Sequence, residues 1–146
     1  MKRFTQIVCL ILVLSLTLAI PVCATSASPW ASNYFTARSC YLWDVSSTGF
    51  QVWFEVTAKR TMTELGASIV TVQRSSDTVN WTPVKTYYKS DYPQMTTTAG
   101  KVAYSGYVTF DEAESGYYYR ANVEFYAKDN NGSAIVGMNT SYVYIP

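Results

Sequence analysis

The sequence contains no histidine. That removes the commonest general base and the commonest metal ligand together. A serine or cysteine nucleophile would then need a lysine or carboxylate as its base, and neither Gly-x-Ser-x-Gly nor Ser-x-x-Lys occurs. We therefore assign no catalytic residue and no metal ligand, expect no cofactor, and read the chain as something other than an enzyme. Charge is scarce as well: 14% of residues are charged, against a usual ~25%. The net charge is +1 over 146 residues and no polybasic run exists. Nucleic acid and anionic lipid thus have no electrostatic footprint to bind.

Long apolar runs are limited to one, residues 7–20, broken only by Ser15 and Thr17. Lys2 and Arg3 precede it; Pro21 and the small residues around Ala24 follow it. A helix of this length rises ~21 Å, short of the ~30 Å hydrocarbon core. The pattern is that of a secretory signal peptide over residues 1–24, cleaved after Ala24 or Ala27. Export, and no stable membrane insertion after cleavage, are the expectations. Removing the segment also removes Lys2 and Arg3, leaving one more acidic than basic side chain.

Cysteine is nearly absent from the remainder. Cys9 and Cys23 fall within the apolar leader, so Cys40 stands alone and no intrachain disulfide can form. With no imidazole to activate it and aromatic neighbours around it, Cys40 reads as a small buried hydrophobe. Packing alone must hold this fold.

Aromatic side chains are abundant instead, 16% of the chain, with 13 tyrosines. Residues 117–128 alternate strictly. Tyr117, Tyr119, Ala121, Val123, Phe125 and Ala127 share one face; Tyr118, Arg120, Asn122, Glu124, Tyr126 and Lys128 share the other. That is a strand with one buried and one wet side, opened by Gly116 and closed by turn chemistry at residues 129–132. We expect it at the centre of its sheet, with Tyr117, Tyr119, Val123 and Phe125 in the core.

After a loose leader over residues 25–33, other strand-like segments occupy residues 34–45, 50–59, 64–74, 80–89, 101–110 and 133–145. Residues 50–59 alternate cleanly, with Phe50, Val52, Phe54 and Val56 against Gln51, Trp53, Glu55 and Thr57. Residues 64–74 do not, because Ile69, Val70 and Val72 break the alternation. Residues 80–89 contain Pro83, which marks an edge strand, with Trp81 and Val84 as its anchors. In residues 101–110 we expect Val102, Tyr104, Val108 and Phe110 to face in. Gly137 is a candidate bulge in the last strand. No segment shows a capped helical period. Residues 34–146 therefore read as an all-β domain: a two-sheet antiparallel sandwich of immunoglobulin or fibronectin-III type with about seven strands.

The carboxylates Asp111, Glu112 and Glu114 cluster in one loop, and residues 129–132 carry further oxygen ligands. Neither has calcium-loop spacing, so both read as solvated turns. The enriched chemistry is aromatic. Trp43, Trp53, Tyr118 and Tyr126 fall on outward faces and are the candidate ligand-binding residues, able to stack on sugar rings or anchor a protein. The plainer reading is cross-strand pairing that stabilises the sheet.

The run Ser115-Gly116-Tyr117-Tyr118-Tyr119-Arg120-Ala121 resembles the loop and strand of fibronectin-III-like domains that carry a tyrosine corner, a role Tyr119 or Tyr117 fills here. Together with residues 72–84 and 140–145 it also resembles small secreted proteins of Gram-positive, gut-type bacteria of uncharacterised function. The resemblance covers residues 50–146. It implies an exported single domain, with no catalytic residues to carry over. The expected role is a non-catalytic interaction domain outside the cell or at its surface. Its partner would be an extracellular protein or, alternatively, a glycan held by the outward aromatics. The oligomeric state is left open.

Overall fold

A computed structural model describes residues 31–146. The expected signal peptide and residues 25–30 of the leader lie outside the described residues. Ala31–Tyr34 forms one helical turn, α1. The strands follow in order: β1 (Phe35–Trp43), β2 (Phe50–Met62), β3 (Glu64–Ser75), β4 (Thr82–Tyr88), β5 (Thr96–Thr97), β6 (Lys101–Phe110), β7 (Tyr117–Asp129), β8 (Gly132–Asn139) and β9 (Val143–Ile145). A single 3₁₀ turn, Pro93–Met95, precedes β5.

Two antiparallel sheets stack face to face. The smaller has the order β1-β2-β6; the larger has β4-β3-β7-β8, with β5 on β3 and β9 on β7. Between them lies one core, drawn from the inward residues of both sheets, including Phe54, Val70 and Phe125, with Met95 of the 3₁₀ turn added to it. As its alternation predicts, β7 is central. It pairs with β3 along one side and with β8 and β9 along the other. Tyr119, Val123 and Phe125 are buried, while Tyr117 is half-buried beneath the Arg74 guanidinium, 4.6 Å from its ring centroid.

Tyr119 closes one end of the core. Its ring meets those of Phe50 and Phe110 at 5.8 Å each, and these two meet at 5.3 Å. Its hydroxyl accepts from the Glu114 N–H at 2.8 Å and donates to the Glu114 carbonyl at 3.3 Å. The same ring thus fills the core and satisfies the backbone of the loop before β7, which makes Tyr119, not Tyr117, the corner residue.

The broken alternation in β3 has a local cause. The register between β3 and β7 shifts between Ala67 and Ile69, leaving Ser68 as the extra residue of a bulge. Leu65 and Ala67 face in before it, Val70 and Val72 after it. The Ser68 Oγ donates to the Glu124 carbonyl at 3.2 Å, and its own carbonyl accepts from Lys89 N–H at 3.0 Å. A polar side chain can therefore occupy an inward turn of the strand.

Several expectations need correction. Among the described residues the strands number nine rather than about seven: the two-residue β5 forms in the connection before β6, and the last segment divides. Thr140 ends β8: its Oγ1 accepts from the Ala121 N–H at 3.0 Å, and its N–H donates to the Ala121 carbonyl at 2.9 Å. The chain then resumes as β9 against residues Tyr117–Tyr119. Gly137 makes no bulge; it sits in register opposite Glu124. Val102 is exposed because the β2–β6 ladder loses register beyond Thr57 and Ala103, which leaves that end at the rim. Trp81 is no core anchor. It precedes β4, is half-buried, and donates from Nε1 to the Thr78 carbonyl at 3.1 Å, bracing the β3–β4 turn. Pro83 does lie on an edge strand, beside a shift in register that spares the missing N–H.

Tyr34, which ends α1, is buried, and the Arg60 guanidinium lies over its ring at 5.2 Å. Arg60 Nε donates to Asp129 at 2.8 Å, and Asp129 also accepts from the Asn131 N–H at 2.8 Å. The start of the domain is thereby fastened to β2 and to the β7–β8 turn.

Candidate functional site

The four aromatics singled out from the sequence do not form one surface. In the small sheet the inward residues of β2 are Phe50, Val52, Phe54 and Val56, so Gln51, Trp53 and Glu55 point outward, as do their partners across the ladder. Trp43, opposite Gln51, is 60% exposed. Trp53 stands between Tyr41 and Tyr107 in register, and its ring stacks on Tyr107 at 4.9 Å with planes 21° apart. Its Nε1 donates to Gln51 Oε1 at 2.8 Å.

Tyr118 and Tyr126 lie on the outer face of the other sheet, across the full thickness of the sandwich. Tyr118 packs on Tyr144 at 4.9 Å and edge-on to Tyr142 at 5.7 Å, while the Arg120 guanidinium covers Trp81 at 4.2 Å. Tyr126 is capped by the Lys89 ammonium 3.8 Å from its centroid, and that ammonium donates to Glu64 at 2.7 Å. These rings are engaged with their sheet neighbours.

The concave feature lies elsewhere. β6 is one of the two edge strands of the small sheet, and β4 is one of the two edge strands of the large one. A groove of about 690 Å³ runs between them, inside the ~300–1,000 Å³ range of small-ligand sites. Trp53 and its partner Tyr107 form one part of the lining. Tyr87 and Tyr92, edge to face at 5.1 Å and 72°, form another. Tyr104 completes the aromatic set, and Lys85, Gln94 and Asp111 add polar groups.

These rings are held in place. Tyr87 donates to the Thr109 carbonyl at 2.8 Å, and Tyr104 to the Gln94 carbonyl at 2.6 Å. Burial pushes the Tyr87 hydroxyl well above the usual phenol range, with Tyr92, Asp111 and Glu112 adding to it, so it remains a donor. The 3₁₀ turn Pro93–Met95 positions Tyr92 and Gln94 by sinking Met95 into the core. Gly106 lets β6 pass close over Phe54: an added Cβ would come within 2.8 Å of that ring.

Of the sequence-derived candidates, Trp53 alone lines the groove. Tyr107 was within reach, since Val108 and Phe110 inward make Tyr107 outward. Tyr104 was expected inward and is half-buried, packed against the core from the groove side. Tyr87 and Tyr92 had no signal, because their place depends on two sheet edges that come together only in the folded chain.

Among the described residues no group of three His, Cys, Asp or Glu could hold a metal ion. Glu112 accepts from the Lys85 ammonium at 2.7 Å and Glu114 pairs with the Arg74 guanidinium at 2.6 Å, both pairs partly solvated. Cys40 is half-buried with its Sγ 3.8 Å from the Met138 carbonyl, and burial pushes the thiol up to about 11. In comparison with known proteins, no family model, no curated protein and no solved structure matches the chain.

Proposed function

We propose that the chain is an exported, non-catalytic binding domain that acts outside the cell or at its surface, and that the groove between β4 and β6 receives its partner. We also propose that the sandwich is fibronectin-III-like. The order β1-β2-β6 in the small sheet, the main path β4-β3-β7-β8 in the six-stranded one and the Tyr119 corner support that assignment. Export rests on the charge, apolar run and small residues of the first 24 positions.

The observation that carries the binding role is the groove itself. Five of its lining side chains are aromatic: Trp53, Tyr87, Tyr92, Tyr104 and Tyr107. Tyr87 and Tyr104 are tethered to the backbone. Rigid rings give large contact area at little ordering cost, which is how aromatic anchors serve recognition. Two measurements test the reading. Mass spectrometry of the protein recovered from spent medium should find a new N-terminus at Thr25 or Ser28; an intact Met1 chain retained in cells contradicts export. Hydroxyl-radical footprinting in the presence of cell-surface material should protect Tyr92 and Tyr107 and leave Tyr142 unchanged. Equal labelling of all three contradicts the groove as the binding site.

A further inference from the structure

We infer that the ligand of the groove is a neutral glycan chain, an inference that rests on the groove being the binding site. Three kinds of extended ligand could lie along β6, and the geometry separates them.

An extended peptide would add as a strand to the free edge of β6, where main-chain groups pair with main-chain groups. That edge is already occupied in part. The Thr109 carbonyl turns away from β2 and accepts the Tyr87 hydroxyl at 2.8 Å. Nearer the start of the strand, the 3₁₀ turn Pro93–Met95 lies against β6, and Tyr104 donates to its Gln94 carbonyl at 2.6 Å. Between these two fastenings too little edge remains for a register of paired amides.

An acidic chain meets the wrong charge. Lys85 is the one cation in the lining, and Glu112 already holds its Nζ at 2.7 Å. Asp111 lines the same groove. The local balance is one cation against two carboxylates, so a polyanion would be repelled rather than held.

A neutral glycan meets what is there. The apolar faces of pyranose rings stack on aromatic rings, and the lining carries Trp53 with Tyr107 and Tyr87 with Tyr92 as two neighbouring aromatic pairs. Sugar hydroxyls need donors and acceptors beside those rings. Gln94, Asp111 and the hydroxyls of Ser105 and Thr109 provide them. The groove follows β6 from Tyr104 to Thr109, a run of ~17 Å at the rise of a strand, enough for several linked rings.

The test is native affinity electrophoresis of the whole protein through gels containing, in turn, hydroxyethyl cellulose, mixed-linkage β-glucan, arabinoxylan, galactomannan, amylopectin and, as the acidic probe, polygalacturonate. At least one neutral polymer should retard the protein, and polygalacturonate should not. Tyr107→Ala and Tyr92→Ala, both at solvent-accessible positions of the lining, should each weaken that retardation at least tenfold. Tyr142→Ala, whose ring packs on Tyr118 at the outer face of the larger sheet, should leave it unchanged, and thermal melts of the three variants check that each is folded. Retardation by polygalacturonate alone, or by none of the polymers, overturns the glycan assignment. If footprinting still protects Tyr92 and Tyr107 in that case, the groove stands as a site for another ligand. Retardation that survives both groove substitutions but is lost in Tyr142→Ala moves the site to the other sheet and overturns both readings.

Discussion

The Tyr119 hydroxyl accepts from the Glu114 N–H at 2.8 Å, five residues back along the chain, while its ring is 1% exposed between Phe50 and Phe110. One side chain therefore couples the loop before β7 to the core. Tyr119→Phe keeps the ring and orphans a part-buried donor, a loss of about 1–3 kcal/mol. Tyr117→Phe, whose ring is half-buried, should cost under ~0.5 kcal/mol. Urea unfolding of the two variants measures the contrast, and equal midpoints would deny Tyr119 its special place.

Two carboxylates should make the fold acid-sensitive. The Asp129 carboxyl is held below its usual range first by its bond from Arg60 and then by the Asn131 N–H. The Asp77 carboxyl is held well below its usual range, first by the Asn80 N–H, then by the Asn80 side chain, the Val79 N–H and the Ser75 hydroxyl. A carboxyl lowered on folding adds stability that is complete above its unfolded value, ~3.9 for Asp, and is lost as pH falls through the folded one. Melting temperature should therefore drop as pH is lowered below ~4. Asp77→Asn and Asp129→Asn should lower the plateau near neutrality and flatten that acid limb. A variant with an unchanged acid limb would show that its carboxylate is not coupled to folding.

Cys40 should be a slow thiol. With its pKa pushed up to about 11 by burial, little thiolate exists near neutrality, and thiolate is the reactive form. Iodoacetamide labelling of the native protein at pH 8 should run far behind labelling in guanidinium, and the native rate should climb as pH approaches 11. Equal rates at pH 8 would place Cys40 in the open.

Gly106→Ala should strain the groove floor. The added Cβ would sit 2.8 Å from the Phe54 Cζ and 3.2 Å from the Gln94 carbonyl, and Phe54 has no exposed surface into which to retreat. Overpacking of this kind costs about 1–3 kcal/mol. Thermal unfolding measures it; a variant as stable as the parent would mean that β6 moves off Phe54 freely.

Much of the architecture was legible because alternation is a local property. β7 reads as a half-buried strand from twelve residues, and its inward set matches the buried one, with Tyr117 half-covered. The β3 bulge was visible only as a fault in the pattern, since what settles a bulge is the Glu124 carbonyl waiting opposite Ser68. The end of β8 was hidden for a similar reason: Thr140 looks like any strand residue until its hydroxyl is seen taking the Ala121 N–H. The binding face was the least legible part. Alternation says that Trp53 and Tyr118 point outward, but not that they belong to different sheets and face opposite ways. The groove is harder still, because Tyr87, Tyr92 and Tyr107 come from three segments joined only by the meeting of two edges.

A titration of the ¹⁵N-labelled protein with a retarding neutral polysaccharide, read by amide chemical shifts, tests the central claim most directly. The account predicts that the shifts concentrate along Ser105 to Thr109 of β6 and around Tyr87, Tyr92 and Gln94. Shifts confined to Tyr118, Tyr142 and Tyr144 on the outer face of the larger sheet would contradict it.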